Sequence, residues 1–215
     1  MQPIEVRPGA STMVHALRSE TVTRRRLTAD EYQRMIKVGI LRDGERVELL
    51  DGEMYQMAAQ ASTHIACVMR LNRHFIVGLG DRALVSAQGA MRLSAYSEPE
   101  PDIAVLRYRD DFYEAALPQS GDVFLVIEVA NSSLRHDRDR KLPLYAAGGV
   151  VEVWIVDLRR RQVLVYRDPT PDGYRQSITY TEGASLSPLA FPDLVIGWDD
   201  IFGTQPANNP ANQSG

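Results

Sequence analysis

Apolar and polar positions alternate along this chain in two periods, and their order predicts helices and strands in a definite succession. Leu27-Thr28-Ala29-Asp30-Glu31-Tyr32 carries a helix start. Thr28 can cap, Glu31 lies three residues on as a capping box requires, and Leu27 precedes the cap as a hydrophobic staple would. This helix is expected to end near Gly39. Between Val47 and Met57, two short strand-like runs flank Asp51-Gly52, a strong hairpin signal. From Ser62 to about Val77, Ile65, Val68, Met69, Leu71, Phe75 and Ile76 recur at helical spacing, with Arg70, Asn72 and Arg73 between them. The period then shifts to that of strands: Ala83–Ala87, Ala90–Ser94, Asp102–Arg107 and the apolar run Val123–Ala130. Gly121 and Asn131-Ser132-Ser133 bound the last run, which is expected to be a central strand buried on both faces.

Asp137–Ala147 is helical in spacing and closes at Gly148-Gly149, with Pro143 expected to delay or bend its regular part. Val151–Asp157 reads as another buried strand. Gln162–Arg167 and Tyr174–Thr181 read as a hairpin around Pro171-Asp172-Gly173, followed by the short run Leu194–Gly197. A crossover helix between Val123–Ala130 and Val151–Asp157 makes those two strands parallel neighbours in a mixed sheet. The class is α/β, or α+β if the sheet is mostly antiparallel.

A length of 215 residues with 44% hydrophobic content fits one domain, taken as residues 27–202 between an N-terminal tail, 1–26, and a disordered C-terminal tail, 203–215. The formal net charge is -4, which excludes a generally basic nucleic-acid coat, so any attraction to a phosphate backbone must be local. Cys67 is the only cysteine, and it excludes an intramolecular disulfide or a cysteine-rich metal site. No run of apolar residues reaches membrane-spanning length, and no basic-then-apolar leader opens the chain. The expectation is a cytoplasmic protein that does not bind membranes.

Glu128 is the first chemical anomaly, because its five upstream neighbours in Val123-Phe124-Leu125-Val126-Ile127 are all apolar. An uncompensated buried carboxylate costs several kcal/mol, so Glu128 must face a cleft, pair with a cation or hold a metal. It falls near the carboxyl end of its strand, where open α/β sheets present functional groups; the alternative is a structural ion pair with an arginine. Asp102, after Pro101 at a strand start, reads alone as a turn or capping residue. Together, two carboxylates on consecutive strands form the usual ligand set of a hard cation such as magnesium or manganese. Lys141 ends the charged run Arg135-His136-Asp137-Arg138-Asp139-Arg140-Lys141 and borders Leu142, Leu144 and Tyr145. The arginines read as a solvated helix face, whereas Lys141 can point toward Glu128, stabilising phosphorane charge or helping to activate a water.

Six stretches carry a family resemblance: Val47-Glu48-Leu49-Leu50-Asp51-Gly52-Glu53, Ser62-Thr63-His64, Glu100-Pro101-Asp102-Ile103, Val126-Ile127-Glu128-Val129, Asp137 to Ala146, and Val151 to Asp157. In this order, over roughly Leu27 to Phe202, they resemble the PD-(D/E)XK restriction-endonuclease-like superfamily, and more closely the Uma-two family of bacterial restriction endonucleases. The resemblance implies a central mixed β-sheet flanked by helices, with extra β-hairpins. It implies Mg (or Mn) held by Asp102, Glu128 and the Val129 carbonyl, for hydrolysis of phosphodiester bonds in nucleic acid, with DNA as the expected substrate. The family's usual lysine position is Ala130 here, and the resemblance moves that role to Lys141. Glu48 and His64 match residues of similar family members and are expected over the site, although an exposed strand position for Glu48 and a half-buried histidine at a helix start are the bland alternatives.

Two other functions compete with an endonuclease. A catalytically inactive binding or assembly module on the same fold would pair Asp102 and Glu128 with arginines; the missing lysine and the lack of a long basic surface favour it. A glycosidase would need an aromatic-lined sugar cleft, and only Trp154 and Trp198 are present. A homodimer is a candidate assembly, with the Gln162–Thr181 hairpin as an available edge.

Overall fold

The computed structural model describes residues 23–42 and 44–204. Helix α1, Ala29–Lys37, starts where the capping box predicts, with Thr28 Oγ1 accepting from the Glu31 N–H and Glu31 accepting from the Thr28 N–H. Strands β1, Val47–Leu50, and β2, Glu53–Gln56, form an antiparallel hairpin. Asp51 and Gly52 both take positive φ, 51° and 81°, as a two-residue turn matching strand twist demands. Helix α2 spans Ser62–Leu79 and ends slightly beyond its predicted limit.

The main sheet comprises β3, Ala83–Ala87; β4, Ile103–Arg107; β5, Val123–Ala130; β6, Glu152–Asp157; β7, Gln162–Thr170; and β8, Gly173–Tyr180. Its spatial order is the chain order, β3-β4-β5-β6-β7-β8. Every pairing is antiparallel except β5 with β6, which is parallel as predicted. The crossover between them contains α3, Leu134–His136, a π-helical turn, Asp137–Lys141, and α4, Leu142–Ala147. This mixed sheet with flanking helices is α+β in class.

Strand β5 is the spine. Leu125, Ile127 and Val129 face a core closed by Cys67, Leu71 and Phe75 of α2, while Val126 and Ala130 face a second core closed by Tyr145 of α4. A smaller cluster of Ala29, Tyr32 and Leu49 seats α1 against the hairpin. The last helix, α5, Trp198–Phe202, lies beside α2 and contributes Trp198 and Ile201 to the first core.

Two expectations need correction. Ala90–Ser94 is not a strand, since its backbone makes only isolated bridges, Arg92 with Gln119 and Ser94 with Ser97. Its buried Met91 and Leu93 fill the second core without a ladder, so the apolar pattern reports burial rather than pairing. The crossover helix begins at Leu134, before Asp137, and its irregularity is the π turn. Pro143 has no N–H for the carbonyl four residues back, and the widened turn ahead of it removes that conflict. The short run Leu194–Gly197 carries a single bridge, Ile196 with Leu186, before α5. Within the N-terminal segment expected as a tail, Arg26 bonds to the Asp51 carbonyl and carboxylate and lies over the Tyr96 ring. Residues 1–22 and 205–215 lie outside the described residues.

Phe75 is fully buried and packs on Trp154, with ring centroids 6.2 Å apart. Phe75→Ala is expected to cost about 3–5 kcal/mol. Urea unfolding followed by tryptophan fluorescence should show this as a lower midpoint with an unchanged slope.

Candidate functional site

The sheet register brings the two suspect carboxylates together. Ile103 of β4 faces Ile127 of β5, so one step further Asp102 comes opposite Glu128. Like charges directly opposite on a sheet repel, and both groups are largely removed from water, at 8% and 3% exposure. The partners of this pair are a backbone N–H, an imidazole, a phenol and one ammonium.

Asp102 is held by two donors on the same oxygen: the Val129 N–H at 2.8 Å and His64 Nε2 at 3.0 Å from Oδ2. Because an ionised carboxylate only accepts, His64 carries its proton on Nε2 in this contact. His64 lies in the first turn of α2 and reaches around the end of the sheet; it is neither half-exposed nor a cap. Asp102 likewise caps nothing. Since N–H and C=O of one strand residue point the same way, the Val129 carbonyl faces the same gap, beyond the start of β4.

Glu128 has a different pair of partners. Tyr145 Oη donates to Oε1 at 2.6 Å, and Lys141 Nζ stands 2.8 Å from the same oxygen. Lys141 also lies 3.1 Å from Glu48 Oε2 and 3.4 Å from the Glu100 carbonyl. Glu48 is 1% exposed, which corrects the exposed-strand alternative, and its Oε1 is 3.1 Å from His136 Nε2. Asp137, also buried, accepts from Ser133 Oγ at 2.7 Å.

The electrostatic balance is unequal. Burial, reinforced by Asp137, Asp102 and Glu48, pushes Glu128 above the usual carboxylate range in spite of Lys141. Burial raises Asp137 in the same way. For Glu48 burial also acts upward, but the Lys141 charge and the His136 and Lys141 hydrogen bonds outweigh it and hold the group low. Burial would release the Lys141 proton; Glu128, Glu48 and Asp137 together hold it, so this lysine stays cationic.

All of these side chains but Tyr145 line a cleft of about 320 Å³, together with Arg46, Tyr55 and the Gln56–Ala61 segment and with Asn131, Ser132, Ser133 and His136. Among the described residues, no three His, Cys, Asp or Glu side chains are gathered tightly enough to make a closed metal cage. Magnesium does not ask for one: it is commonly held by one or two carboxylates, with waters and substrate phosphates completing its shell. Among the described residues, Asp102 Oδ1 and Glu128 Oε2 take no protein hydrogen bond, so each acid keeps one oxygen for a cation. The donor set fits a hard divalent ion.

All five expected site residues, Glu48, His64, Asp102, Glu128 and Lys141, therefore meet in one cleft. Sequence reasoning missed Tyr145, Asp137 and His136. A signal existed: Asp137, Lys141 and Tyr145 recur every four residues and share the inward face of the crossover helix. Arg135, Arg138 and Arg140 are exposed, as expected of a solvated face. No arginine pairs with Asp102 or Glu128 among the described residues.

A family model, Uma2, described as "Putative restriction endonuclease", matches residues 29–199. Among solved structures, the chain is similar to the crystal structure of a "putative nuclease belonging to DUF820" from Anabaena variabilis. The TM-score is 0.63 at 18% identity, covering 82% of this chain and 97% of that one. At such identity the likeness concerns the fold. No curated protein matches the chain.

Lys141→Met would leave Glu128 and Glu48 buried without their cation, at an expected cost of about 3–5 kcal/mol. In the parent, Glu48 is held low, so its stabilising pair is present above the unfolded carboxylate range and lost as pH falls through the folded value. The Glu48 part of the cost of Lys141→Met is therefore expected to be full near neutral pH and to shrink in acid as Glu48 takes up its proton, whereas Glu128, already raised, takes up its proton nearer neutrality. Urea midpoints of the two proteins across that range check the sign.

Proposed function

The chain belongs to the Uma2 family of restriction-endonuclease-like proteins, and from that premise we propose that it is a metal-dependent endonuclease that hydrolyses phosphodiester bonds, with DNA as the expected substrate. The observation that carries this reading is the opposition of Asp102 and Glu128 across β4 and β5, with Lys141 Nζ 2.8 Å from Glu128, at the floor of one cleft. Asp102, Glu128 and the Val129 carbonyl would hold Mg²⁺ or Mn²⁺. When bound, such an ion supplies Lewis-acid polarisation of the scissile phosphate and of the attacking water.

The chain's own groups do the remaining work. His64 and the Val129 N–H fix one Asp102 oxygen, which aims the other. Tyr145 does the same for Glu128. Lys141 presents a permanent positive charge where negative charge grows on the phosphate. It is not a base, because its acidic neighbours hold its proton. Glu48 anchors Lys141 from the hairpin side and is itself held by His136 of α3; in this reading the pair would orient a water. Residues 27–202 act as one domain in this reading. No helix among the described residues is long and apolar enough to cross a membrane, and the buried Cys67 thiol suits a reducing cytoplasm.

A non-catalytic module on the same fold keeps one supporting observation, Ala130 at the usual lysine position, fully buried in the second core. Its expected arginine pairs are missing among the described residues. Asp102→Ala and Glu128→Ala, each checked for folding, are expected to lower metal-dependent cleavage of plasmid or single-stranded DNA by at least about a hundredfold. Manganese titration calorimetry should show stoichiometric uptake by the parent and none by either variant. Undiminished cleavage by a pure variant would refute the assignment.

A further inference from the structure

We propose that the mouth of this cleft takes single-stranded nucleic acid, with the Tyr55 ring as the surface on which a base stacks. The proposal rests on the nuclease reading for its scissile phosphate and goes beyond it in strandedness and in the residue that selects it.

The depth of the floor is the first argument. Glu48, Lys141, Glu128 and Asp102 are only 1%, 3%, 3% and 8% exposed, so a phosphate reaching them must descend between two walls. The space of about 320 Å³ lies at the small end of pockets that enclose a single small ligand. A lone nucleotide fits such a space. A duplex, which carries its phosphates on a rigid and much wider cylinder, cannot follow its backbone into it, whereas a single strand is flexible and can splay its bases.

The second argument is what stands at the mouth. Tyr55 on β2 and His136 at the end of α3 both line the cleft, with ring centroids 5.2 Å apart and planes inclined by 58°. Each ring is anchored by its polar end and leaves part of its surface open. Tyr55 Oη donates to Glu53 at 2.7 Å, and His136 Nε2 contacts Glu48 at 3.1 Å with a third of its side chain exposed. A ring fixed in this way stacks on a base at little entropic cost, and it does so for any base.

Charge supplies the third argument. Arg46 lines the cleft, and the Arg140 charge acts on Tyr55 and Glu53. These cations flank the platform and suit a backbone running past it. The chain as a whole is acidic, at -4, which gives a duplex no broad surface for counterion release.

The test is fluorescence anisotropy in EDTA, where cleavage cannot consume the probe. Labelled single-stranded DNA, single-stranded RNA and duplex DNA of one sequence are bound to the parent, Tyr55→Phe and Tyr55→Ala. Expected results are tighter binding of either single strand than of the duplex, parent-like binding by Tyr55→Phe, and a loss of roughly tenfold for Tyr55→Ala on single strands. Probes with one abasic position, moved along the strand, give an arm that needs no variant: one position should weaken parent binding by a similar factor. Duplex binding equal to single-strand binding overturns the proposal. So does a Tyr55→Ala protein of parent melting temperature that binds single strands like the parent, together with flat abasic probes. If plasmid nicking persists in either case, the nuclease reading survives. Absence of binding to all three nucleic acids by a protein that also cleaves neither plasmid nor single-stranded DNA removes both.

Discussion

Lys141 is the tie that the site depends on. Its ammonium stands between Glu128 on the central strand and Glu48 on the hairpin, while its backbone closes the π turn of the crossover helix. Three segments far apart in sequence are thereby fixed at one point. The interaction is electrostatic and buried, so it is strong in place and costly to break. It is also incomplete. One ammonium faces Glu48, Glu128 and Asp137, with Asp102 opposite Glu128, and burial first, reinforced by these acidic neighbours, leaves Glu128 raised. A buried cluster short of positive charge is poorly made as a structural ion pair and well made as half of a cation site.

The sheet makes that arrangement stable. Antiparallel β4 and parallel β6 clamp β5 on both edges, and apolar cores cover both its faces. Only at its carboxyl end does the apolar cover open into a cleft, because β4 starts at Ile103 and leaves the backbone of Val129 beyond its ladder. The Val129 N–H, deprived of a strand partner, turns to Asp102. A local gap in pairing thus positions the Asp102 carboxylate. The hairpin closes the other side: Leu49 packs with Ala29 and Tyr32, and the backbone bridge between Leu49 and Glu98 presses Glu48 inward.

Much of this was legible in the sequence where one period dominated. The capping box at Thr28, the Asp51-Gly52 turn and the eight residues of β5 are local signals, and the structure repeats them almost residue for residue. Glu128 stood out because a charge inside an apolar run has few explanations. Ala90–Ser94 misled because an alternating pattern reports which residues are buried and says nothing of whether a neighbouring strand exists. His136, Asp137 and Tyr145 were hidden for another reason. Their shared inward face is expressed only through a widened turn, and a run of alternating charge at Arg135–Lys141 otherwise resembles a solvated helix.

The substitution at Ala130 looks different once the helix is in place. Ala130 lies two residues beyond Glu128 on the same face of β5, and that face is filled there by the second core, with Tyr145 among its members. A long cationic side chain at this position would have to displace apolar packing to reach the carboxylates. Lys141 approaches the same carboxylate from the crossover helix, between Glu48 of the hairpin and Glu128, and reaches Glu128 at 2.8 Å. The two positions are alternative routes for one ammonium to one place. Ala130 and Tyr145 belong to the same buried cluster, so a small residue at 130 is compatible with Tyr145 reaching Glu128 and with Lys141 supplying the cation from one turn earlier. What the strand gives up in charge, the covering helix returns, and the π turn is the local distortion that aims it.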